Sequence, residues 1–182
     1  MRTDFLYASI ADTQGTIRSI DVRAGFLFVV LFLPLSVLDK ISTIYGFPAK
    51  LTGVMTGWII IDILLWVLAI GALFRCVVAI DSPAAHVSGP TPKGAFYGGD
   101  LFNLTKYHTF WNCTVLSSRD IAQEKMLLPQ NAAEIETELL FEKMKLTYIR
   151  SVKLLRFAAA AWLTLLWLIA SASLAVYTRA LI

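Results

Sequence analysis

The feature that most constrains this chain is the run 157–176, twenty consecutive residues without a charge. A helix of that length rises about 30 Å, the thickness of a bilayer's hydrocarbon core. Arg156 and Arg179 bracket the run, and Trp162, Trp167 and Tyr177 suit the two interfaces. Its four consecutive alanines at 158–161, with Ser171 and Ser173, offer small surfaces that let helices approach closely in lipid.

Two further blocks lie upstream. Residues 51–80 form a hydrophobic block whose only charges are Asp62 and Arg75, and are long enough to span with a tilt. Residues 24–38 give only about 22 Å of strictly apolar helix, so this span must be completed from 20–23 or from 39–44. Pro34 within it removes a backbone donor and predicts a kink. The block starts too late for a cleaved signal peptide, and Asp39-Lys40 rather than a small-residue site follows it. Three spans are expected, at 24–44, 51–80 and 157–177.

Composition agrees. The chain is 57% hydrophobic and 16% charged, with a mean hydropathy of +0.67, a departure from soluble averages in the membrane direction. The charges collect in 1–23 and 93–156. A net charge of +3 is too small to argue for a nucleic-acid partner. Cys76 and Cys113 form neither a CxxC pair nor a disulfide framework. Arg2, Arg18 and Arg23 precede the first span, and Lys143, Lys145, Arg150, Lys153 and Arg156 precede the last. The positive-inside rule places both segments in the cytoplasm, against Lys40 and Lys50 in the short opposite loop. The glycosylation patterns at Asn103 and Asn112 then fall on the wrong side and are chance matches.

The middle segment, 81–156, reads as a helical cytoplasmic domain. Prolines and glycines over 82–94 predict a turn-rich connection. A helix is expected over 104–113 and another over 119–127, capped by Ser117 or Ser118 and ended by Pro129. A long helix should begin near Asn131, with Glu134, Glu136 and Glu138 in its early turns where acids favour the helix dipole. Phe141, Met144, Tyr148, Val152 and Leu155 follow at spacings of three and four and predict one apolar face. No proline separates this helix from the last span, so one continuous helix is expected to run into the bilayer. About seventy residues between spans are marginal for an independent core, which favours a homo-oligomer.

Several residues stand out chemically. Asp62 lies at membrane depth, where an acid costs a few kcal/mol on insertion scales (about 3). It reads either as an ion path, helix–helix hydrogen bond or gating contact, or as an acid near the outer interface. Asp21 and Arg23 sit where the first span begins. They read either as interfacial anchors or as polar partners of the basic start of the last span, such as Lys153. His86, His108 and Cys113 lack metal-ligand spacing. Ser117 and Ser118 lack a triad context, and the carboxylates at 134, 136, 138 and 142 read as a solvated helix face. No enzyme, metal or cofactor is expected.

The order of three motifs, Asp21-Val-Arg-Ala24, Pro92-Lys-Gly-Ala-Phe-Tyr-Gly98, and Glu138-Leu-Leu with Leu146 followed by Lys153-Leu-Leu-Arg156-Phe-Ala, resembles the transmembrane effectors of the Pycsar antiphage systems of bacteria. The resemblance covers nearly the whole chain. Arg23 stands for the usual lysine and Leu154 for an aromatic. The resemblance implies a cytoplasmic sensor for a cyclic nucleotide, cUMP or cCMP, coupled to spans that impair the inner membrane when ligand arrives. A cyclic nucleotide needs cations or backbone donors for its phosphodiester, an aromatic for its base and a polar group for its ribose. The candidates are Lys93, Tyr97, Asp100, Arg119 and Arg150, with Lys106, Tyr107, Phe110 and Trp111 as further cations and stacking partners. Asp21, Arg23, Asp62 and Lys153 are the candidates for coupling to the membrane. The rival readings are a small channel or transporter subunit, supported by Asp62, and a membrane adaptor for a partner protein.

Overall fold

The computed structural model describes residues 2–36, 53–80, 82–89, 92, 101–102 and 115–180. Helix accounts for 86% of them. In chain order these are α1 (Arg2–Ser36), α2 (Gly53–Val77), a 3-10 turn (Pro83–His86), α3 (Ile121–Leu127) and α4 (Ala132–Ala180). Among the described residues no strand forms, and Phe102 and Ser117 make an isolated antiparallel bridge.

The expected long helix is present as α4, 49 residues without a break. Asn131 starts it: its Oδ1 accepts the Glu134 N–H at 2.9 Å, and its amide donates back to Glu134 Oε1 at 3.1 Å. The first bond satisfies a backbone donor that a helix start otherwise leaves open, and the second joins the two side chains. The short helix α3 begins later than expected. Its cap is Asp120, not a serine, with Asp120 Oδ1 accepting from Gln123 N–H at 2.7 Å and Gln123 Oε1 accepting from Asp120 N–H at 3.1 Å. Ser117 and Ser118 instead donate to the carbonyls of Arg119 and Leu101. The helix expected over 104–113 lies outside the described residues, as does the completion of the first span over 39–44. Residues 1–23 and the first apolar block, expected as successive segments, are joined from Arg2 onward in the single helix α1.

The chain forms two compact units. The first combines Met1–Gln14 with Ser82–Tyr148, and the second combines Gly15–Asp81 with Ile149–Ile182. Both α1 and α4 contribute to each. The first unit thus recruits the N-terminal turns, and its share of α4 ends at Tyr148 rather than at Arg156. Its core is Leu6, Ile10 and Leu139, with Ile135 and Leu146 packed against them. Lys143 lies over the Phe5 ring at 5.3 Å, and His86 stacks on Tyr148 at 4.4 Å.

The second unit packs α1, α2 and α4 around Ile20, Ala24, Leu31, Ala69, Leu73, Cys76, Ala160 and Trp167. Phe28 meets Phe74 edge-on at 5.2 Å, and Phe32 meets Trp66 at 6.2 Å. Pro34 lacks the N–H that the Val30 carbonyl would otherwise accept. In the same stretch the Trp66 indole N–H of α2 donates to the Leu31 carbonyl of α1 at 2.9 Å, a direct bond between the two helices.

Among the described residues two helices, α2 and α4, are long and apolar enough to cross a membrane. Their most apolar windows are only 11% and 22% buried, so these are not the hidden core helices of a soluble domain. The exposed face of α1 is apolar too, through Phe26, Val29, Leu33 and Leu35. Contiguous apolar surface on that scale marks contact with lipid or with another protein.

The buried face of α4 corrects two expectations. Met144 and Leu155, placed on the apolar stripe, are 50% and 74% exposed. The face that packs runs instead through Leu139, Glu142, Leu146, Lys153, Ala160, Thr164 and Trp167. These residues also follow a helical period, at spacings of three, four and seven, but two of them are charged. Glu138 and Glu142 are accordingly buried, not part of a solvated face, and Glu142 accepts from Lys145 Nζ at 2.5 Å one turn on.

Candidate membrane-coupling and ligand sites

The most built polar site lies in the second unit, where α1, α2 and α4 meet. Lys153 points into the bundle from α4, and its Nζ donates to Asp21 Oδ1 on α1 at 2.5 Å. The Lys153 side chain is 10% exposed and that of Asp21 41%. Burying an ammonium is costly unless a counter-charge accompanies it, so Asp21 is the condition for Lys153 to sit there. The Cys76 thiol of α2 lies 3.7 Å from the Lys153 carbonyl and donates to it. One turn further, Arg156 Nη1 donates to the Arg75 carbonyl at 2.8 Å, near the C-terminal end of α2. The three bonds tie α4 to both neighbouring helices within about one turn. Of the two readings of Asp21, the structure realises the contact with Lys153; Arg23 is exposed.

Asp62 also has a partner. Ser171 on α4 donates its hydroxyl to Asp62 Oδ1 at 2.5 Å. Asp62 is nine residues into α2, about 13 Å of helix from the first turn, and is half-buried. The geometry is that of the helix–helix hydrogen bond among the readings of this residue. The sequence marks Ser171 only as a small residue, because its pairing with the acid depends on the relative register of two helices.

The first unit contains an open depression of about 570 Å³ lined by Leu101, Phe102, Ser117, Arg119, Asp120 and Glu124, among others. Arg119 is half-buried there and pairs with Glu124 at 3.5 Å. It offers a guanidinium, a phenyl ring, a hydroxyl and two carboxylates around one space. Phe102 was not among the residues expected at a ligand site. Arg150, the other described ligand candidate, belongs to the second unit and does not line the depression. Lys93, Tyr97 and Asp100 lie outside the described residues, as do Lys106, Tyr107, Phe110 and Trp111.

No protein-family model, curated protein or solved structure matches this chain.

Proposed function

We propose that this chain is a three-span effector of a bacterial inner membrane that impairs the membrane when its cytoplasmic unit binds a cyclic pyrimidine nucleotide, cUMP or cCMP, in antiphage defence. The observation that carries the reading is α4. One unbroken helix, Ala132–Ala180, supplies the packed face of the polar first unit and an apolar span of the second. A ligand that favours one arrangement of the first unit would bias the span through that helix, provided it binds the two arrangements unequally. The motif order supports the same reading, as does the apolar outer face of α1, which supplies the third span. The cations Arg18, Arg23, Arg75, Arg150 and Arg156 at one end of the bundle support a cytoplasmic N-terminus and first unit. The working form is a homo-oligomer, whose other copies cover apolar surface the single chain leaves open. The chain carries out no catalysis.

The ligand's seat in this reading is the depression at Arg119. A phosphodiester would take the guanidinium from Glu124, and Phe102 would stack on the base. Titration calorimetry of the full chain in detergent with cUMP, cCMP, cAMP and cGMP tests this. A pyrimidine nucleotide should bind, and Arg119→Ala should weaken it by about tenfold or more, the worth of a charge-assisted hydrogen bond. Absence of binding by all four overturns the reading. The channel-subunit alternative rests on Asp62, and the engagement of that carboxylate by Ser171 favours a packing contact over an open ion path.

A further inference from the structure

We infer that the arginine end of the three-helix unit is a binding surface for anionic phospholipid. The inference rests on the membrane reading above and names the lipid class that this end selects. Arg18 and Arg23 on α1, Arg75 on α2, and Arg150, Lys153 and Arg156 on α4 all belong to this unit. The Lys153–Asp21 and Arg156–Arg75 bonds fix them at one level of the bundle. Arg18, Arg23 and Arg75 are exposed, and Arg150 and Arg156 are half-buried. The described helical segments of the unit carry two acids, Asp21 and Asp62, of which only Asp21 stands at this level. It is committed to the buried Lys153, so no further carboxylate of these described segments stands among the exposed Arg18, Arg23 and Arg75 and the half-buried Arg150 and Arg156.

Two properties identify the partner as an amphiphile with an anionic head. First, the cations occupy a narrow slab. From Arg150 to Arg156 the helix rises about 9 Å, close to the depth of a headgroup layer. Second, apolar surface begins at once beside them. Phe26 lies one turn past Arg23, Phe74 adjoins Arg75, and Leu154 and Leu155 lie between Arg150 and Arg156, all exposed. A soluble polyanion would leave those faces in water, whereas a phospholipid covers them with acyl chains while its phosphate meets the guanidiniums. Arginine suits this role, because its planar fork binds phosphate oxygens in pairs. The C-terminal end of α2 adds no competing charge problem, since a cation there complements the helix dipole.

The test uses the full chain reconstituted in phosphatidylcholine vesicles in which either phosphatidylcholine or phosphatidylglycerol carries brominated acyl chains. Quenching of the helix tryptophans reports which lipid occupies the surface. Phosphatidylglycerol should be preferred about fivefold at low salt, falling below about twofold in 0.5 M salt as screening shortens the field. Arg18→Gln, Arg23→Gln and Arg75→Gln together should cut the preference below about twofold while quenching by brominated phosphatidylcholine is unchanged, since these exposed side chains leave the packed core intact. Equal quenching by both lipids in the unaltered protein, or an unaltered preference in the triple variant, overturns the inference and leaves the membrane reading standing. Loss of the preference in glycerol phosphate beyond that in chloride of equal ionic strength marks a soluble-anion site and overturns it also. Absence of quenching by either lipid overturns both.

Discussion

Asp21→Asn and Lys153→Met should destabilise the second unit unequally, and the inequality follows from burial. The pair is closely matched in distance at 2.5 Å, but its members are not equally wet: the Lys153 side chain is 10% exposed and that of Asp21 41%. At an effective dielectric of about 20, unit charges some 4 Å apart attract by about 4 kcal/mol. The exposure of Asp21 screens roughly half of that, leaving about 2 kcal/mol. Asp21→Asn leaves an ammonium in the bundle without its counter-charge and should cost about 2 kcal/mol or slightly more. Lys153→Met keeps the volume, removes the buried charge and leaves a carboxylate that water can reach, so it should cost under about 1 kcal/mol. The double variant should resemble Lys153→Met, giving a coupling energy of about 1–2 kcal/mol. Reversible unfolding in mixed micelles, followed by circular dichroism, measures all three. Equal losses for the two single variants, or coupling below about 0.5 kcal/mol, would mean that the pair behaves as an exposed surface contact. The account of a buried tie between α1 and α4 would then be wrong.

Other contacts make narrower claims. Ser171→Ala should cost about 0.6–1.7 kcal/mol in the same unfolding assay, the range of hydrogen bonds between membrane helices, whereas an interfacial Asp62 would leave stability unchanged. Leu139→Ala empties a fully buried position between α1 and α4 in the first unit, and should cost about 3 kcal/mol. Because Leu139 lies far along α4 from the apolar span, hydrogen exchange should show the loss over residues 2–14 and 132–148, with the tryptophan-bearing part of α4 unaffected.

What the sequence makes legible here is governed by whether charge and burial coincide. The continuity of α4 was readable, because no proline interrupts it and Asn131 with Glu134 marks its start. The capping box at Asp120 and Gln123 is equally present as a pattern, but the neighbouring Ser117 and Ser118 point to a cap two or three residues too early. The packed face of α4 is hidden in the sequence for a physical reason. Glu142 and Lys153 lie on it, and apolar periodicity does not register charged positions even where a partner makes them buriable. The same masking hid the N-terminal turns: Leu6 and Ile10 are four residues apart and face Leu139, inside a segment that reads as polar. The contact of Asp21 with Lys153 could be named as an option from the motifs at the two bundle helices, while that of Asp62 with Ser171 depends on helix register, which no local pattern encodes. The ligand-site candidates divide for another reason. Arg119 shares a depression with Phe102 and Ser117 that only tertiary contact creates, and Arg150 belongs to the stretch of α4 that lies in the second unit.

The most direct test of the proposed function is leakage from vesicles. The full chain is reconstituted in phosphatidylcholine–phosphatidylglycerol vesicles loaded with a self-quenching dye, and cUMP, cCMP, cAMP or cGMP is added outside. The vesicles should stay sealed until a pyrimidine nucleotide arrives, then release dye, and Arg119→Ala should shift the required concentration upward by about tenfold. Leakage that is the same with and without nucleotide, or sealed vesicles with saturating cUMP and cCMP, would contradict the proposed function.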